Sequence, residues 1–253
     1  MYGVALQSIL RKEIIRFTRI WMQTLVPPII SMSLYFLIFG RFIGQQLGLI
    51  QGVSYLQFIV PGLIMMSVIT NAYGNVVSSF FGAKFNHSIE ELLIAPVPNA
   101  VIIVGYVSGG LVRGLVVGLL VALIAQPWIP WQLHAGWVVG TTLLLTAIIC
   151  SLGGLINALY ANNFDDINIV PTLILTPLTY LSGIFYSLLR LPSHWQTLSK
   201  FNPIVYMVNA IRYGFLGILD VPLSHCFAVQ GGLVILLYGW AWGLLERGQG
   251  LRS

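Results

Sequence analysis

Residues 114–164, GLVVGLLVALIAQPWIPWQLHAGWVVGTTLLLTAIICSLGGLINALYANNF, contain no Asp, Glu, Lys or Arg. A helix of about 20 apolar residues crosses the hydrocarbon core of a bilayer, so this run has room for more than one crossing. Its middle, QPWIPWQLHA at 126–135, holds two tryptophans and two prolines. That chemistry suits a turn at a membrane interface. The stretch therefore divides into the end of one span, about 99–125, and the whole of another, about 136–160.

The same reading extends outward. Charge-free runs also cover 20–40, 42–83, 92–112, 167–189 and 221–245. Only 12 Lys/Arg and 7 Asp/Glu occur in 253 residues, 8% of the chain, while 57% is hydrophobic and the mean hydropathy is +0.89. Ordinary globular domains carry about 25% charged residues, and a soluble monomer could not cover its surface with so few. The sequence predicts an all-α polytopic membrane protein with six spans, near 20–40, 57–78, 99–125, 136–160, 169–189 and 227–245. No long basic stripe suited to nucleic acid is present.

Residues 1–19 precede the first run and read as an amphipathic helix. Ser8, Lys12, Arg16 and Arg19 share one face, and Leu6, Leu10, Ile14 and Phe17 the other. Such a helix suits the headgroup region, and a helix packed on a soluble partner would carry the same pattern. The chain thus divides into this interfacial helix at 1–19, a six-span domain at 20–245 and a tail at 246–253. Pro27-Pro28 should break or kink the first span. The second holds Ser67, Thr70, Asn71, Asn75, Ser78 and Ser79 in its later half, a face for other helices or a translocation path. The connection 190–226 is apolar but broken by Pro203, Asn209 and Arg212, and two short re-entrant or interfacial segments fit it better than a span.

With six spans both termini share a side. That side carries seven Lys/Arg: four in the N-terminal helix, Lys84, Arg247 and Arg252. The other carries four: Arg41, Arg190, Lys200 and Arg212. The excess of positive charge places both termini in the cytoplasm.

Few residues here have the pattern of a reactive site. There is no G-x-x-x-x-G-K-[ST] loop, so the chain should not hydrolyse ATP alone. The histidines 87, 134, 194 and 225 are dispersed rather than spaced as metal ligands, and no metal site is expected. Asp165-Asp166 lies in an expected turn and reads as a helix cap or partner contact rather than an acid–base pair. Arg113 is the strongest anomaly, a charge within a span, which serves either an interhelical or path-lining role or a snorkel to the headgroups. Around it Gly105, Gly109, Gly110, Gly114 and Gly118 form small-x-x-x-small registers for close helix packing. Lys84, Glu90 and Glu91 lie in a short charged segment where a soluble motor could dock.

Three stretches carry a family resemblance: VPPIISMSLYFLIFG at 26–40, FIVPGLIMMSVITNAYGNVVSSFFGAKFNHSIEELLIAPVP at 58–98 and LPSHWQTLSKFNPIVYMVNAIRYGFLG at 191–217. With them the chain resembles the ABC-2 type export permeases, the membrane subunits of ATP-binding-cassette exporters, and most of all the short inner-membrane transport permeases of enteric and related bacteria. The resemblance implies an amphipathic helix, six spans and both ends inside. It also implies a cytoplasmic coupling helix at about 85–95, with Lys84, Asn86, Glu90 and Glu91 engaging the ATPase. Two short extracytoplasmic re-entrant helices, with Asn202, Pro203 and Arg212, would precede the last span.

The implied assembly is a permease pair, most simply a homodimer in the cell inner membrane, with two copies of a separate ATPase that binds ATP and Mg. The chain itself would have no catalytic site, cofactor or metal. The cargo class, whether lipid, glycan or drug-like, is not encoded in a visible motif. Tyr35, Phe36 and Trp195 are candidates for stacking on it or for anchoring at the interface. An ion-coupled secondary transporter is the alternative class, although no dense set of intramembrane carboxylates or histidines supports it.

Overall fold

A computed structural model describes residues 2–89, 97–129, 133–188 and 191–248. The chain opens with α1 (Tyr2–Arg19), breaks at Ile20 and resumes as α2 (Trp21–Leu37). The helix stays continuous through Pro27-Pro28 rather than ending there. A π-helical stretch (Ile38–Ile43) and the single turn α3 (Gly44–Leu47) carry it on. A tiny antiparallel ribbon follows, β1 (Leu49–Ile50) with β2 (Val53–Ser54), pairing Leu49 with Ser54 and Ile50 with Val53. Gln51 and Gly52 turn it with φ of 50° and 85°, the left-handed geometry a two-residue hairpin requires. Among the described residues this ribbon is the only strand pair.

Helix α4 (Tyr55–Phe85) is the longest and the most central, packed along α5 (Asn99–Ala125) and α6 (Gly136–Tyr160). Its start is fixed by a capping box: the Ser54 hydroxyl accepts from the Gln57 amide at 3.3 Å, and the Ser54 amide donates to Gln57 Oε1 at 2.9 Å. Phe58, Leu63, Val68, Ala72, Val76 and Phe80 are fully buried along it. Its 31 residues span about 46 Å, so α4 exceeds the 57–78 expected of it and projects past the hydrocarbon core. The glycines of α5 permit this packing. A Cβ on Gly114 would stand 2.9 Å from that of Ala72, and one on Gly118 2.5 Å from Val68 Cγ2.

In the region of the expected 169–189 span, residues 166–180 form one short helical segment with a π-helical middle: α7 (Asp166–Val170), the π-helical stretch (Pro171–Leu175) and α8 (Thr176–Tyr180). At about 22 Å it falls short of the hydrocarbon thickness. Pro171 and Pro177 lack the amide hydrogens a regular helix uses. Asn157 Nδ2 donates to Ile167 O at 3.1 Å, the carbonyl that Pro171 leaves without a helical amide, and the Thr176 and Thr179 hydroxyls add bonds to Pro171 O at 2.9 Å and Leu175 O at 2.7 Å. Five helices among the described residues are long and apolar enough to cross a membrane: Trp21–Gly40, Tyr55–Phe85, Asn99–Ala125, Gly136–Tyr160 and Leu223–Glu246. The last is α11 (Leu223–Glu246). Before it stand two short helices, α9 (Ser193–Lys200) and α10 (Pro203–Leu216), and α10 packs against α4, α6 and α11.

Candidate functional site

Polar chemistry concentrates at the two ends of this bundle. At the end where the chain begins, Leu6, Leu10 and Phe17 of α1 are half-buried. Ile14 is exposed, and the buried residues are Ile9 and Glu13. The cause lies in α5: a Cβ on Gly105 would meet Ile9 Cγ2 at 2.6 Å, and one on Gly109 would meet Glu13 Cβ at 2.8 Å. The two glycines leave a groove, and α1 lies along it.

Glu13 is 1% exposed. Its Oε1 accepts the Ser79 hydroxyl, and its Oε2 accepts Arg16 NH2 at 3.1 Å and Asn75 Nδ2 at 3.3 Å. The same Arg16 nitrogen donates to Asn75 Oδ1 at 2.8 Å and Asn75 O at 3.0 Å, while NH1 reaches Ser78 Oγ at 3.4 Å. A buried carboxylate is tolerable only when paired and hydrogen-bonded, and this one is both. The polar half of α4 thus divides. Asn75, Ser78 and Ser79 hold α1, while the side chains of Ser67 and Asn71 turn back on the helix's own carbonyls, Leu63 O at 3.0 Å and Ser67 O at 3.0 Å. Glu13 carried a signal in the sequence that amphipathic patterning passes over: it is the only acid before residue 90, three positions from Arg16.

Arg113 follows Gly109 by one helical turn and is partly exposed. Its Nε is buried without a hydrogen-bond partner, and it stands near enough to Arg16 for the charges to repel. Among the described residues no carboxylate pairs with it.

Lys84 closes the other side of this end. Its Nζ donates to Leu159 O at 3.0 Å and Ala161 O at 2.7 Å, capping the C-terminus of α6, where the helix dipole favours a cation. Asn86 ends α4, its amide on Gly82 O at 3.1 Å. Phe164 packs edge-on to Phe81 at 5.0 Å and against Phe85 at 4.9 Å. Asp166 Oδ2 accepts the amides of Asn162 and Asn163 at 2.8 and 3.3 Å, so the carboxylate orders a turn. Glu90 and Glu91 lie outside the described residues.

At the opposite end Asn202 and Pro203 start α10. Asn202 Oδ1 accepts the Ile204 amide at 3.0 Å, its Nδ2 donates to Leu178 O at 2.6 Å, and Pro203 takes the first helical position. Arg212, 1% exposed, donates to Gly183 O at 2.5 Å, faces Asp220 Oδ2 at 3.8 Å and lies 3.9 Å from the Phe58 ring centroid. Burial pushes its guanidinium down to about 10, with Asp220 pulling it back up, so it stays charged at neutral pH. Asp220 also accepts from Gln51 at 3.0 Å and Ser187 at 3.3 Å, and its amide donates to Asn209 Oδ1 at 2.9 Å. The three sequence-predicted residues of this region are therefore anchors of α10. Phe36 is fully buried and offers no stacking surface, whereas Trp195 is half-exposed.

Between α4 and the 166–180 segment lies an open cavity of about 270 Å³. Thr70, Gly74 and Ser78 form its α4 wall, with Asn168, Pro171 and Thr176 opposite. Met66, Val77, Ile167 and Leu175 complete a lining that is mostly apolar.

Residues 4–216 match the family described as ABC-2 type transporter. The chain is 61% identical over 253 residues to the inner membrane transport permease YadH of Escherichia coli K12, covering 100% of this chain and 99% of the relative, and the Shigella flexneri protein of that name is equally similar. Nodulation protein J of Rhizobium leguminosarum bv. viciae is 25% identical over 220 residues, covering 85% of this chain and 83% of that protein. Long apolar helices and these matches lead to one conclusion: the chain belongs to the ABC-2 type transporter family, as a multi-pass bacterial inner-membrane permease subunit of an ABC transporter system.

Proposed function

We propose that two copies of this chain associate and export a lipid, glycan or drug-like cargo, driven by two cytoplasmic ATPase subunits. The carrying observation is the construction of α4. It is buried on nearly every side, leads at Phe85 toward the acidic residues Glu90 and Glu91, and is joined at Lys84 to the end of α6. A displacement of the segment at 85–95 would reach two core helices together. In this reading Lys84 and Asn86 hold that segment, and Glu90 and Glu91 meet the ATPase.

The topology belongs to the same proposal. The 166–180 segment, continued by the turns to residue 188, serves as the fifth of six crossings, which places both termini in the cytoplasm. Helices α9 and α10 are then the extracytoplasmic re-entrant pair, and α1 is the cytoplasmic-side helix. The cavity beside Thr70, Gly74 and Ser78 supports a cargo-facing wall between α4 and the fifth crossing.

The test reverses both charges, Glu90→Lys with Glu91→Lys, and measures co-purification of the ATPase and its turnover in vesicles. Loss of association by tenfold or more, with the permease still monodisperse, is expected. Undiminished assembly and turnover would reject the docking role.

A further inference from the structure

Arg16 and Arg113 set two guanidinium groups close together at the seam of α1 and α5, and a single carboxylate answers them. Glu13 is already occupied by Ser79, Asn75 and Arg16. The Nε atoms of both arginines are buried without partners. One positive charge is left unmatched in a partly desolvated place, while Arg113 keeps an exposed side.

The depth of this seam can be read from the register. Ile9 faces Gly105 and Glu13 faces Gly109, so α1 and α5 run parallel, and the next turn of α1 brings Arg16 level with Arg113. α1 changes character there, since the charge-free run 20–40 begins directly after Arg19. On α5, Arg113 is the single charge between the apolar runs 92–112 and 114–164. Trp21, more than half exposed, follows on one helix, and the exposed Val116, Leu119 and Leu123 follow on the other. Aromatic residues gather at the boundary between hydrocarbon and headgroups. Helical side chains lean toward the N-terminus, which carries the Arg113 guanidinium away from the hydrocarbon.

We infer that Arg16 and Arg113 clamp the phosphate of an anionic phospholipid in the leaflet on the α1 side, with its acyl chains along Val116, Leu119 and Leu123. The lipid supplies the missing negative charge through charge-assisted hydrogen bonds and seals α1 against α5. This clamp needs no ATPase, so its test is independent of the docking proposal.

The full chain, delipidated in detergent, is titrated with phosphatidylglycerol, with diacylglycerol and with inorganic phosphate, and bound lipid per chain and melting temperature are recorded. Wild type is expected to retain one phosphatidylglycerol and to melt higher with it, but not with the other two probes. Arg113→Gln should bind about tenfold more weakly and Arg113→Lys about threefold, since lysine keeps the charge and loses the planar fork. Arg11→Gln, which removes an exposed charge elsewhere on α1, should bind as wild type. Equal binding by wild type and Arg113→Lys, or by Arg113→Gln where it folds, would overturn the clamp. So would an Arg11→Gln loss as large as that at Arg113, which would mark diffuse surface attraction. Phosphate acting as well as the lipid would mark a site for a soluble anion and would equally overturn it.

Discussion

Glu13 accepts a hydrogen bond from the Ser79 hydroxyl, sixty-six residues along the chain, and so fastens the first helix to the central one. Glu13→Ala strands Arg16 and leaves Ser79 and Asn75 without their acceptor. Breaking a fully buried pair costs about 3–5 kcal/mol. Arg16 keeps 28% of its side chain exposed, which lowers the expected loss to about 2 kcal/mol. Unfolding of the detergent-solubilised chain measures it; an unchanged midpoint would mean the fastening adds no stability.

Arg212 and Asp220 should be strongly coupled. Arg212→Met leaves a carboxylate, itself 1% exposed, facing only neutral donors, for a loss of about 3–5 kcal/mol. Adding Asp220→Asn removes the stranded charge, and the double variant should regain at least about 1 kcal/mol in a mutant cycle. Strict additivity would show that the two residues act separately.

Lys84→Met tests a structural part against a docking part. Loss of the α6 cap should cost about 1 kcal/mol whether or not the ATPase is present. A variant with wild-type stability that binds less ATPase would move Lys84 from the cap to the interface.

Gly109→Ala forces a methyl group to within 2.8 Å of the Glu13 side chain. Overpacking of this kind costs about 1–3 kcal/mol, and α1 should lift from its groove. Limited trypsinolysis reports the change, since cleavage after Arg16 should quicken while cleavage after the exposed Lys12 changes little.

How much of this was legible in the sequence follows from the range of each signal. Charge-free runs depend on local composition, and they located α2, α4, α5, α6 and α11, with α5 and α6 beginning and ending at the expected residues. In the 169–189 run the helix passes through Pro171 and Pro177, with a π-helical stretch at Pro171–Leu175, and stops at Tyr180, an end that hydropathy does not mark. Pro203 counts in the sequence only as a break in 190–226, and the Asn202 cap ahead of it makes it a helix start. The partners of Glu13 and Arg212 were not readable, because Ser79 and Gly183 are brought to them only by helix packing. The burial of Glu13 was not readable either, because the glycine groove that receives it belongs to α5.

That groove bears on how copies of the subunit can meet. Gly105 and Gly109 are filled by α1, and Gly110, Gly114 and Gly118 lie against α4, so this glycine ladder is spent on internal joints. In the proposed pair of copies, a second protomer would find its footing on other surfaces, and bulky replacements along the ladder would spoil the protomer itself before they touched any contact between protomers.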